Sequence, residues 1–153
     1  MREMKLRMLT AVAVGVAAVA SIALAAATGT AAIKERQEAM EDIGKAMGPL
    51  GAIVKKQAPF DAEVVKASAE TIANRLNEAA NLFPDGSDTG DVETWAKAEI
   101  WSDRETFQKD LETAVAAAVA MQSVSDEAAF GPALGALGNG CKTCHSAFRR
   151  PKK

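Results

Sequence analysis

Residues 134–148 read Leu134-Gly135-Ala136-Leu137-Gly138-Asn139-Gly140-Cys141-Lys142-Thr143-Cys144-His145-Ser146-Ala147-Phe148. Leu134, Leu137, Cys141, Cys144 and Phe148 recur at 3-4-3-4 spacing, the period of one helix face. Both cysteines therefore share a face with core leucines. The pentapeptide Cys141–His145 is C-x-x-C-H, the attachment signature of a c-type haem. Two thiols add to the two porphyrin vinyl groups. The histidine that follows the second thiol swings its imidazole under the ring to meet iron. The chain has 2 cysteines and 1 histidine in all, so this motif uses its whole soft-ligand inventory. A structural zinc site wants four protein ligands, and only three Cys/His groups exist. A thioredoxin-like C-x-x-C needs a βαβ context. A Cys141–Cys144 disulfide would close a very short loop and leave His145 unexplained.

The other end of the chain agrees with that reading. Arg2, Lys5 and Arg7 precede an uncharged, Ala- and Val-rich run from Met8 to Ile33. A basic start, an apolar stretch and A-x-A sites at Ala23-Leu24-Ala25 or Ala25-Ala26-Ala27 describe a secretory signal peptide over residues 1–25, with cleavage at 27 as the variant. The rival is an uncleaved anchor, since the run is long enough to span a bilayer. Alanine is a poor membrane residue, which favours cleavage and no stable membrane insertion afterwards. Haem attachment to C-x-x-C-H is completed outside the bacterial cytoplasm, so both ends point to the periplasm.

Residues 26–153 then form one small domain. Removing Arg2, Lys5, Arg7 and Glu3 from 18 basic and 20 acidic residues leaves 15 against 19, a formal −4. Nothing in that balance suggests nucleic acid. The basic tail Arg149-Arg150-Pro151-Lys152-Lys153 reads as a solvated terminal turn suited to the negative end of a helix dipole.

Alanine richness, 0 tyrosines and few β-branched runs argue against strands. Four amphipathic segments are expected. The first covers about 31–56, with Ile33, Met40, Met47 and Val54 on one row and Arg36, Ile43, Leu50 and Gln57 on the next; Gly48-Pro49 should kink or end it. The second starts at Asp61 as N-cap and carries Val65, Ile72, Leu76 and Phe83. The third opens on a capping box, Ser102-Asp103-Arg104-Glu105, and carries Phe107, Leu111, Ala114, Ala118 and Met121. The fourth begins near Ser125 or Asp126, with Gly131-Pro132 expected to bend or break it early. Two short connections and one long one suggest an all-α, antiparallel four-helix bundle with haem between its helices. Arg36 is the anomaly, an inward arginine that needs either a charge partner, such as a haem propionate, or a route for its head to water.

Four stretches in order resemble one family. They are Arg36-Gln37-x-x-Met40, Leu82-Phe83-Pro84, Ala98-Glu99-Ile100-Trp101-Ser102-Asp103, and Cys141-Lys142-x-Cys144-His145-x-x-Phe148-Arg149. Together they look like cytochrome c′, the class II c-type cytochromes, over essentially the whole mature chain. The resemblance implies one covalent haem c and a bundle that often dimerises through its first two helices. It implies His145 as axial ligand, Met40 and Phe83 in the distal pocket, and Arg36 and Gln37 on a propionate. It further implies Thr94 and Trp95 at the haem edge and Arg149 beside the proximal histidine. Pro132 departs from the pattern and bears on where the fourth helix starts.

Two functions follow from that resemblance. In one, the haem is high-spin and five-coordinate, Met40 only fills space, and the protein binds NO or CO while taking part in electron transfer with a redox partner protein. In the other, Met40 sulfur is the sixth ligand of a low-spin His/Met electron carrier. With one histidine, bis-histidine ligation is impossible. No second histidine, phosphate loop or spare thiol suggests an enzyme.

Overall fold

The computed structural model describes residues 29–151. Five helices are present among them: α1 over residues 29–54, α2 Ala62–Ala79, α3 Glu99–Ser102, α4 Arg104–Met121 and α5 Glu127–Phe148. The signal-peptide reading lies outside the described residues. The four long helices follow the expected segments, and α3 is an additional short turn.

The core is the one the 3-4 spacing foretold. Ile43, Leu50, Val65, Ile72, Leu76, Phe107, Leu111, Ala114, Ala118, Met121, Leu137 and Phe148 form one buried cluster. α4 packs tightly on α5 at Gly140. A Cβ there would lie 3.0 Å from the Ala114 Cα, so only glycine lets the two backbones approach this near.

Helix ends depart from expectation in three places. First, α1 runs through Gly48-Pro49 without interruption. Leu50 and Ile53, both buried, lie beyond the proline, and their burial opposes a break there. The helix stops instead at Lys56, which takes φ 59. Lys56 N–H donates to Ile53 O at 3.0 Å and Gln57 N–H to Ala52 O at 2.8 Å, a Schellman stop with lysine at the usual glycine position. Val54 is consequently 50% exposed and Gln57 lies outside the helix, so the inner stripe ends at Leu50 and Ile53.

Second, the cap of α4 is Asp103, whose carboxylate accepts from Thr106 N–H at 3.3 Å, while Ser102 closes α3. The expected capping box is not formed. Third, α5 contains Pro132 within an unbroken helix that starts on Asp126 as N-cap. Asp61 caps α2 as expected, accepting from Glu63 N–H and Val64 N–H.

Candidate haem site

The long connection between α2 and α3 organises the site. Pro84-Asp85-Gly86-Ser87 makes a turn in which Ser87 N–H donates to Pro84 O at 3.2 Å, with Gly86 at φ 79. Glycine is the residue that takes this left-handed angle without strain. The turn aims Ser87 at α1.

Arg36 is 4% exposed, and its guanidinium is directed at the 82–94 connection. Its Nη2 donates to Ser87 O at 2.8 Å and Thr94 Oγ1 at 2.9 Å; its Nη1 donates to Ser87 Oγ at 3.2 Å and Leu82 O at 3.4 Å. The guanidinium carbon lies 5.0 Å from the Phe83 ring centroid and 5.7 Å from that of Trp101. The head does not snorkel to water. Four neutral oxygens and two π faces stabilise the charge. Burial pushes the Arg36 pKa down, and Asp88 opposes this.

Gln37 ties the same helix to the same loop, donating to Glu93 O at 2.7 Å. Met40, one turn after Arg36, is half-buried against the core cluster, as are Leu134, Cys141 and Cys144. Phe83 begins a chain of edge-on rings. Its centroid is 4.8 Å from Phe107, which is 5.3 Å from Phe148 on the last turn of α5.

Residues 94–97 clasp the end of α5. Ala96 pairs with Arg149 in an isolated bridge. Lys97 N–H donates to Phe148 O at 3.0 Å, and Arg150 N–H to Trp95 O at 2.7 Å. The Arg150 guanidinium donates to Thr94 O. Lys97 Nζ donates to Ala147 O at 2.8 Å and Ser146 O at 3.3 Å, satisfying terminal helix carbonyls. The basic tail is therefore not simply a solvated turn, because Arg149 and Arg150 are bound to the loop. Thr94 links both sides, accepting from Arg36 on its hydroxyl and from Arg150 on its carbonyl.

Cys141 and Cys144 are free thiols, each half-buried. Burial raises both pKa values; Cys144 reaches about 11, with Asp110 and Cys141 adding to the effect. Burial, then the nearby Arg149 charge, lowers the His145 pKa. A neutral imidazole keeps the lone pair that binds a metal. Two unpaired thiols on one apolar face, followed by a neutral imidazole, fit a covalently held haem.

Arg36, Phe83, Thr94, Trp95 and Arg149 are thus joined through one loop system. The sequence reading missed Ser87, Trp101, Lys97 and Arg150. Trp101 donates its indole N–H to Pro84 O at 3.0 Å, bracing the turn that holds Arg36. The only sequence signal for Ser87 was its place in a Pro-Asp-Gly-Ser turn.

The chain is similar to known proteins along most of its length. The family model described as Cytochrome C' matches residues 31–149. A cytochrome c' of Pararhodospirillum photometricum is 39% identical over 126 residues, 80% of this chain and 99% of the relative. A cytochrome c-556 of Agrobacterium tumefaciens (strain apple 185) is 42% identical over 123 residues, 74% of this chain and 90% of the relative. The solved cytochrome c' from Rhodopseudomonas palustris superposes with TM-score 0.76 at 35% identity, over 80% of this chain and 98% of that one. A nitric oxide complex of a mutant cytochrome c prime from Alcaligenes xylosoxidans superposes with TM-score 0.71 at 29% identity, over 80% and 97%.

Proposed function

Because the chain belongs to the cytochrome c′ family, whose members bind one covalent haem c, we propose that it is an exported, periplasmic haem protein for diatomic gas binding and electron transfer. When bound, haem would supply an iron able to bind NO or CO and to exchange one electron. Cys141 and Cys144 would hold the porphyrin through thioethers, and His145 would supply the nitrogen ligand. Met40 and Phe83 fill the distal side. Arg36 and Gln37 stand at the propionate side, Thr94 and Trp95 at the edge, and Arg149 beside His145. Residues 1–25 are removed as a signal peptide, and a homodimer through α1 and α2 is the assembly implied.

The observation that carries this reading is the anchoring of α1. Four Arg36 hydrogen bonds and one from Gln37 tie the helix to the 82–94 connection. Met40 sits one turn on, within an apolar cluster. A helix held this firmly resists the displacement that would bring a methionine sulfur onto iron, whereas a covering side chain needs only local repacking to admit a diatomic. Support for gas binding comes from the nitric oxide complex of the Alcaligenes relative.

The similarity to a cytochrome c-556 keeps a second reading in view, with Met40 as sixth ligand in a low-spin electron carrier. Carbon monoxide added to the dithionite-reduced protein separates the two. A rapid shift of the Soret band is expected, and an unchanged spectrum favours the second reading.

A further inference from the structure

Salt bridges on this molecule are unevenly placed. Lys45, Lys56, Lys66, Arg75 and Arg104 each pair with a carboxylate. Lys34, Lys55, Lys97, Lys142, Arg149 and Arg150 pair with none among the described residues, and the last four lie on the final turns of α5 and on the 94–97 segment that clasps its end. Lys97 caps the Ser146 and Ala147 carbonyls, Arg149 bridges to Ala96, and Arg150 holds Trp95 O and Thr94 O. Lys142 lies two helical turns before Arg149 on the same face, with His145 between them. Lys142, Arg149 and Arg150 are exposed. A chain whose mature charge is −4 thus carries a local cationic surface around the final turns of α5. Acidic residues on the adjoining elements are Asp110, which acts on Cys144, and Glu93 and Glu99 in the flanking connection.

We propose that the end of α5, with Lys142, Arg149, Arg150 and Lys97, is the docking surface for an acidic redox partner protein. This rests on the electron-transfer part of the function proposed above and names its partner class. Cations without a carboxylate partner lose no ion pair on binding, so their charge is available for steering. Lys142 and Arg149 lie three residues before and four residues after His145, so an acidic protein seated there is brought to the haem side of the molecule. Complementarity favours a protein over an anionic membrane. The exposed large apolar side chains, Val54, Val64 and Val119, belong to α1, α2 and the far end of α4, and supply no apolar anchor beside the cations.

The test uses the haem-loaded protein and small redox probes. Ferricyanide, an anion, oxidises the ferrous protein in a stopped-flow series of ionic strengths. Poly-L-glutamate is added as a surrogate acidic surface. Lys142→Glu is compared with Lys55→Glu, which makes the same change in net charge. Lys55 adjoins Lys56, which pairs with Glu127 at the start of α5, about 30 Å from its other end. The wild-type rate should fall as salt rises, despite the net negative charge, and poly-L-glutamate should inhibit it. Lys142→Glu should slow oxidation about threefold to tenfold at low salt, and Lys55→Glu much less. Equal effects of the two variants, or a wild-type rate that rises with salt, overturn the proposal. So does binding to phosphatidylglycerol vesicles without inhibition by poly-L-glutamate, which assigns the surface to membrane. A normal haem spectrum in all three proteins keeps these outcomes separate from failure of the functional reading itself.

Discussion

Arg36 Nη2 lies 2.9 Å from Thr94 Oγ1, a hydrogen bond between the first helix and the loop that clasps the last one. Thr94→Val keeps the side-chain shape and removes the acceptor. A buried cationic N–H then lacks a partner, which costs about 1–3 kcal/mol. Urea unfolding should show a lower midpoint at unchanged slope, and Thr94→Ser should restore most of the loss. Equal stability of Thr94→Val and wild type would show that this bond holds nothing.

Arg36 carries a buried positive charge with neutral ligands. Arg36→Gln removes the charge and keeps some hydrogen bonding. Ferric haem is more positive than ferrous, so loss of a nearby cation favours the oxidised form and the reduction potential should fall. Voltammetry of the two proteins measures the shift. A rise, or no change, would place Arg36 away from the haem.

Gly140 lies where α5 packs tightly against Ala114 of α4. Gly140→Leu forces the helices apart next to Cys141. Overpacking of this kind costs about 1–3 kcal/mol, which a denaturant midpoint reads directly. An unaffected midpoint would mean the interface yields freely.

Cys144 in the haem-free chain should be a slow nucleophile, because its thiol is held protonated up to about 11 by burial, Asp110 and Cys141. Iodoacetamide labelling follows the thiolate fraction, so its rate should keep rising with pH toward 11. Asp110→Asn lowers the thiol pKa and should speed labelling at pH 8. Labelling that levels off at the pH of an ordinary thiol would contradict this environment.

Much of this architecture was legible because it is periodic. Phe107, Leu111, Ala114, Ala118 and Met121 repeat at 3-4 spacing, and all are buried. Asp61 and Asp126 announced their helices as caps. The haem motif is contiguous, so its three residues needed no tertiary knowledge. Arg36 was correctly read as inward, but its partners come from an aperiodic loop more than forty residues away. The clasp of Lys97 and Arg150 on opposite segments was hidden for the same reason. Neither Pro49 nor Pro132 breaks its helix, and burial of Leu50, Ile53 and Leu137 beyond each proline opposes a break. Lysine in the left-handed stop of α1 hid that boundary, since sequence rules look for glycine there.

Whether Met40 covers the iron or binds it decides the function. Optical and electron paramagnetic resonance spectra of the ferric protein, taken beside those of Met40→Ala, measure this most directly. High-spin signals in both proteins, with no methionine-to-iron charge-transfer band in the wild type, are the expected result. A low-spin wild type that shows this band and becomes high-spin in Met40→Ala would contradict the account.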